Sequence, residues 1–252
     1  MQREEVIVYS HSRGYELHLL LRTPEVVADP LLHVFFHGQV DRASFIPPVY
    51  HRRTSSLRLN AICLFASDPM LLFSPDPSIG WFLLGDDEFW PRLDDLTARI
   101  RVENRLSGIA WHGPSGGGYV AVRNALRSRT PGLAFAVGPQ NDPREFHYWQ
   151  EFAPIADGEL AGQSVPPLAE LLRETPPADD RIIYITVSDH DYHHLRFHIQ
   201  PIFTESAALG NVYLSLLRNG RGHGRVDEID YWAEFANAVA MFHRVAHSPH
   251  LT

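Results

Sequence analysis

Apolar positions along the chain fall into short runs set apart by polar, glycine- and proline-rich breaks. Glu5 to Tyr9 and Tyr15 to Arg22 alternate in the manner of strands around the turn His11-Ser12-Arg13-Gly14. Leu31 to Phe36 and Ala61 to Ala66 are continuously apolar, as strands buried on two faces are. The spacing of Phe89, Leu93, Leu96 and Ile100 predicts a helix from about Glu88 to Val102. Ser107 to Trp111 reads as a strand and Tyr119 to Leu126 as a helix, ended by Thr130-Pro131-Gly132. Strands follow at Leu133 to Val137, Arg181 to Val187 and Asn211 to Leu217. The last helix carries Ile229, Trp232, Phe235, Ala236, Val239 and Phe242 at helical spacing. Strand and helix thus alternate, which predicts an α/β domain with a mostly parallel central sheet and helices on both faces.

Between Gly138 and about Asp180 this regularity breaks down into a stretch rich in Pro, Gly, acids and aromatics, including Phe146-His147-Tyr148-Trp149. Forty residues of plain loop do not suit a compact domain, so a helical cap over a cleft is expected at about 139–180. The expected organisation is a single domain over residues 1–252 carrying that insertion.

The 252 residues suffice for a full core, and 44% hydrophobic with 21% charged residues is ordinary globular composition. A net charge of -8 argues against nucleic acid or an anionic membrane surface as partner. No apolar run is long enough to span a bilayer, and the start lacks the order of a signal peptide, so a cytoplasmic location is expected. The one cysteine, Cys63, lies in an apolar run and is expected to be a buried thiol. The chain contains no lysine. That removes phosphate-loop lysines, Schiff-base chemistry and Ser–Lys dyads, and no cofactor is expected.

The candidate chemistry centres on Gly113-Pro114-Ser115-Gly116-Gly117, a G-x-S-x-G sequence between a strand and a helix. A serine on so tight a turn has its hydroxyl exposed, and the first N–H of the helix, that of Gly116, can hold an oxyanion. The flanking glycines are needed because a Cβ there would strike backbone. Pro114 removes a backbone N–H and restricts Gly113, which puts the shape of the turn in question.

The further parts of such a site fall just past strand ends, where open parallel sheets place their crevice. Ser188-Asp189-His190-Asp191 gives two candidate acids, Asp189 and Asp191. The glycine-rich loop Arg218 to Gly224 carries His223 before the final helix. His37-Gly38-Gln39 follows the Leu31–Phe36 strand, and the N–H of Gln39 could be a second oxyanion donor.

In this Ser, Asp, His order the chain resembles the α/β-hydrolase superfamily from about Val6 to Val245. More narrowly, Trp81-Phe82-Leu83-Leu84-Gly85, Gly138-Pro139-Gln140-Asn141-Asp142, and Asp191-Tyr192-His193-His194 with His198 and Pro201 look like the hydrolase-like proteins of bacterial surface-glycan and capsule biosynthesis, which include the O-acetyltransferase of the accessory secretion system. The resemblance implies the α/β-hydrolase fold and acyl transfer or deacylation of an ester, with an O-acylated carbohydrate as one possibility. It favours Asp191 over Asp189 as the triad acid. Two rival readings remain open here. One is a non-catalytic partner protein of glycan assembly whose Ser115 and His223 do not meet. The other is a metal-dependent hydrolase in which His190, His194 and His198, at helical spacing, bind zinc with Asp189 or Asp191. Phe146 to Trp149 and Trp81-Phe82 are expected to pack the cap, His112 to be core, and Asp86, Asp87 and Glu88 to start a helix.

Overall fold

The computed structural model describes residues 2–160, 164–206, 210–223 and 226–247. Eight strands form one sheet in the order β1-β2-β4-β3-β5-β6-β7-β8. They are β1 Arg3–Ser10, β2 Glu16–Thr23, β3 Leu31–Phe35, β4 Cys63–Ser67, β5 Gly108–Pro114, β6 Gly132–Val137, β7 Arg181–Ser188 and β8 Val212–Leu217. β1 and β2 form an antiparallel hairpin, β2 joins β4 antiparallel, and all the remaining pairs are parallel. Each strand expected from the apolar runs is present, with ends shifted by at most three residues, the largest shift being the end of β5 at Pro114.

Helices cover both faces, as the α/β pattern requires. A short helix α1 (Pro69–Phe73) follows β4, and on one face α2 (Asp86–Glu103) and α3 (Gly116–Arg127) bury Phe89, Leu93, Leu96, Tyr119 and Val122. Asp86, in the first turn of α2, accepts from Arg123 at 2.9 Å and from Arg127 at 2.7 Å, which locks α2 onto α3. The other face is closed by the terminal helix Glu228–His247. Its buried stripe is Tyr231, Trp232, Phe235, Ala238 and Phe242; Ile229 is 78% exposed and Ala236 is exposed, so the expected stripe is rotated at its start. The reason is Tyr231, whose hydroxyl is 2.9 Å from Nδ1 of the buried His112 on β5. A hydrogen bond inside the core fixes which face of the helix turns inward.

The insertion between β6 and β7 contains a 3-10 turn (Pro143–Glu145) and two helices, Trp149–Glu159 and Leu168–Glu174. Asn141 ties its far end to β6: its carbonyl accepts from Leu168 N at 2.8 Å and its Oδ1 from Ala169 N at 2.9 Å. Trp149 and Phe152 close over the buried Trp81, so these aromatics are packing groups. Residues 161–163 of the expected cap lie outside the described residues.

After β7 the chain forms a helical turn (Tyr192–His194), a π-wound segment (Leu195–Ile199) and a helix (Gln200–Ser206). Cys63 is buried, and that burial pushes its thiol up to about 11, which makes it a poor nucleophile. Among the described residues no helix is long and apolar enough to cross a membrane.

Five imidazoles are held neutral by burial. Burial lowers His112 well below its ordinary value, with His33 and Arg52 adding to the effect. It lowers His51 and His198 to about 3, and it also lowers His37 and His194. In the unfolded chain these rings protonate near 6.5, so below that pH the unfolded state takes up more protons than the folded one. Stability is therefore fully present above about 6.5 and declines as pH falls, by up to about 1.4 kcal/mol per ring per pH unit. Thermal melts at pH 8 and pH 5 are expected to show a clearly lower Tm at pH 5; an unchanged Tm would contradict the neutral, buried assignment.

Candidate active site

β5 delivers Ser115 to the carboxyl edge of the sheet, where the chain turns abruptly into α3. Ser115 has φ 51° and ψ -120°, a strained conformation for a residue with a Cβ. The turn closes only because its neighbours are glycine. A Cβ on Gly113 would lie 1.9 Å from the carbonyl oxygen of Gly117, and one on Gly117 would lie 2.7 Å from that of His37. Pro114 does not disturb this geometry. Ser115 N donates to Val137 O at 2.8 Å, and Phe36 N donates to His112 O at 2.9 Å. Successive residues of a parallel strand bond to opposite neighbours. The missing N–H of Pro114 would therefore point to the β3 side, where β3 has already ended at Phe35.

Ser115 Oγ lies 3.1 Å from His223 Nε2, and His223 Nδ1 lies 2.8 Å from Asp191 Oδ2. With Nδ1 donating to the carboxylate, Nε2 is left to accept the serine proton. Asp191 is buried, yet its carboxyl is held well below the usual carboxylate range. Burial opposes ionisation, and the hydrogen bonds from His194 and His223 outweigh it. Asp191 Oδ1 accepts from both the backbone N and Nδ1 of His194, at 3.2 Å each. One carboxylate thus carries two imidazoles, and their rings stack at 3.6 Å with planes 8° apart. His198 packs in turn on His194, and its Nδ1 accepts from Asn141 N at 3.3 Å.

Asp189 is not part of this arrangement. It accepts from His190 Nδ1 at 2.9 Å and from Gly220 N at 3.4 Å, and so braces the loop that carries His223. Gly224 of that loop lies outside the described residues. The rival zinc set does not assemble among the described residues. Asp191 caps the helical turn, so His190 precedes it and pairs with Asp189 instead. Among the described residues, the histidines and acids whose ligand atoms come together are Asp191, His194 and His223, two of which already bond to each other and to Ser115.

Gly38 brings the turn after β3 against the elbow, where a Cβ would lie 2.9 Å from Pro114 O and 3.3 Å from the Ser115 Cβ. His37 anchors that turn: Nε2 accepts from Asp68 N at 2.9 Å while Nδ1 lies 2.7 Å from Gly38 O. Gln39 and Gly116 both adjoin Ser115, one through the Gly38 contact and one in sequence. A residue the sequence did not single out for the site is Gln140, which is fully buried just past β6 and donates from Nε2 to Ser115 Oγ at 3.3 Å. Its Oε1 accepts from Trp81 Nε1, which fixes the orientation of the amide. Trp81 is itself left-handed, at φ 50°, within a loop pinned by buried Asp68, which accepts from the N–H groups of Gly80 at 2.8 Å and Phe82 at 3.1 Å. The sequence signals for Gln140 were its place, three residues past a strand end, and its position in the Gly138-Pro139-Gln140-Asn141-Asp142 segment of the narrower resemblance.

A cleft of about 710 Å³ opens on Ser115 and His223. Its walls come from residues 37–54, between β3 and β4, and not from the insertion at 139–180. The stretch that the sequence left without regular structure therefore borders the serine.

No protein-family model matches the chain, and no curated protein matches it in sequence. Solved structures do match. The chain is similar to two fungal esterases from Rhizomucor miehei at 16% identity and a TM-score of 0.65, over 98% of this chain and 84% of that one. It is similar to a capsule O-acetyltransferase of Neisseria meningitidis serogroup A at 15% identity and a TM-score of 0.67, over 89% of this chain and 91% of that one. It also matches brefeldin A esterase, a bacterial homologue of human hormone-sensitive lipase, at 16% identity and a TM-score of 0.61, over 97% of this chain and 76% of that one. The fold is the α/β-hydrolase fold.

The elbow predicts its own sensitivity. Gly113→Ala forces a Cβ into backbone that cannot yield, so a loss of about 3 kcal/mol or failure to fold is expected, whereas Gly222→Ala, with open space around it, should cost under about 1 kcal/mol. Urea denaturation of both variants checks this.

Proposed function

We propose that the chain is a serine hydrolase or acyltransferase that cleaves an ester through Ser115, His223 and Asp191. The observation that carries this reading is the continuous hydrogen-bonded line from Ser115 Oγ through His223 to Asp191 Oδ2, at 3.1 and 2.8 Å, on the rim of a cleft. The non-catalytic reading required His223 to stand away from Ser115, and the 3.1 Å contact between them counts against it. The similar solved structures are esterases and an O-acetyltransferase, which supports ester chemistry on this fold.

In the first half-reaction His223 Nε2 removes the serine proton as Oγ attacks the ester carbonyl, and the carbonyl π electrons move onto oxygen. The N–H groups of Gly116 and Gln39 receive that oxyanion. The tetrahedral intermediate collapses, the ester C–O bond breaks, and His223 gives its proton to the departing alcohol. In the second half-reaction water or a hydroxyl of an acceptor, with a sugar among the candidates, attacks the acyl-serine, and the same proton path runs in reverse. Asp191 keeps Nδ1 protonated and stabilises the imidazolium. Gln140 donates to Oγ, so it steadies negative charge there both as Oγ attacks and as it later leaves.

A fluorophosphonate probe is expected to label the wild-type chain and not Ser115→Ala. Equal labelling of the two, or none of the wild type, overturns the assignment. Asp191→Asn should slow labelling by about a thousandfold or more, since the wrong histidine tautomer results, while Asp189→Asn should slow it less than about tenfold. Gln140→Leu should slow it by about tenfold to a hundredfold. Labelling rates followed by intact-mass spectrometry distinguish these outcomes.

A further inference from the structure

Three arginines fall within seven positions here, Arg52, Arg53 and Arg58, and the first two line the cleft that holds Ser115. Arg53 pairs with Glu4 at 3.1 Å, and Arg58 pairs with Glu228. Arg52 has no carboxylate within ion-pair distance among the described residues, and its Nε is buried without a hydrogen-bond partner. The other acid on this wall, Asp41, is turned back onto its own loop, where it accepts from Ala43 N at 3.0 Å and Ser44 Oγ at 2.5 Å. His51, beside Arg52, is held neutral by burial and by that guanidinium. In a chain of net charge -8, the Arg52 guanidinium lines the same cleft as the serine without a direct carboxylate partner among the described residues, and Glu228 acts on it only at longer range.

The backbone around Arg52 is built to present it. Its φ is 62°, in the left-handed region that strains a residue with a Cβ. Ser56 holds the turn, donating to the Arg52 carbonyl from N at 3.0 Å and from Oγ at 2.6 Å. Beneath it, Arg22 on β2 is only 1% exposed and donates to Arg53 O at 2.7 Å and to Ser56 O at 2.9 Å. A buried charge is thus spent on two loop carbonyls. The Arg52 guanidinium lies 3.4 Å from the ring centroid of Tyr231, whose hydroxyl is held by His112. The guanidinium also hydrogen-bonds the Tyr231 side chain, and a guanidinium has further N–H groups whose planar arrangement suits the paired oxygens of a phosphate or carboxylate.

We propose that Arg52 forms an anion subsite, so that the ester turned over at Ser115 carries a phosphate or carboxylate group on its alcohol part. The proposal rests on the serine esterase or acyltransferase reading above and narrows its substrate class.

The test compares kcat/KM for an O-acetylated hexose, an O-acetylated hexose phosphate and an O-acetylated hexuronic acid, in wild type, Arg52→Gln and Arg52→Lys. The wild type is expected to prefer one or both anionic esters over the neutral one by at least tenfold, mainly through KM. The phosphate and carboxylate arms identify which anion it takes. In Arg52→Gln the preference should fall to within about twofold of unity, with Arg52→Lys between the two because a point charge replaces the fork. Equal turnover of neutral and anionic esters by the wild type, or an undiminished preference in Arg52→Gln, overturns the subsite. Should Arg52→Gln not fold, protection of wild-type Ser115 from the fluorophosphonate decides instead. Millimolar inorganic phosphate should slow labelling relative to chloride at equal ionic strength, and no difference between the salts overturns the subsite. Failure of Ser115 to label at all would overturn the esterase reading itself, and this is a different result from labelling without anion preference.

Discussion

The closest constraint in the molecule is the turn at Ser115, where backbone meets backbone with no space for a side chain. Gly113 faces the carbonyl of Gly117, Gly117 faces that of His37, and Gly38 presses on Pro114 and Ser115 from the β3 side. These contacts set the height of the serine above the sheet, and with it the distances that every other group in the site must match. They also explain why the proline before the serine is tolerated. Its ring sits at the end of β5, on the side away from the bond between Ser115 N and Val137 O that holds the turn to β6.

Four neighbouring strands each bring one polar group to that serine. β5 carries Ser115 itself, β6 leads to Gln140, β7 to Asp191 and β8 to His223. Parallel strands end on the same edge, so residues up to 108 positions apart converge without any long connection across the site. The supports differ from one group to the next. Gln140 is aimed by Trp81, Trp81 is held in a loop fixed by Asp68, and the loop bearing His223 is braced from Asp189. Disturbing Asp68 should thus reach Ser115 through two intermediates, neither of which is near it in sequence.

Most of the frame was legible in the sequence because strands buried on two faces are written as plain apolar runs, and because the elbow glycines leave a local signature. The order Ser115, Asp191, His223 was legible for the same reason, since each residue follows directly on a strand. What the sequence did not show depended on contacts between distant segments. Gln140 gains a place in the site only through Trp81, 59 positions away. The true inward face of the last helix depends on Tyr231 meeting His112, which hydrophobic spacing alone cannot register, and Ile229 was placed inward in consequence. The histidines after β7 looked like one helical face because spacing says nothing of where a helix begins. Asp191 caps the turn and leaves His190 outside it. The wall at 37–54 is irregular and has no periodic pattern by which to foresee it.

His194 and His223 share one carboxylate and lie face to face at 3.6 Å. Two imidazolium ions in that stack would repel each other at close range. Burial biases His194 toward its neutral form. The neighbour that shares the carboxylate is therefore an uncharged plate, and the ring that receives the serine proton meets no second cation across its face.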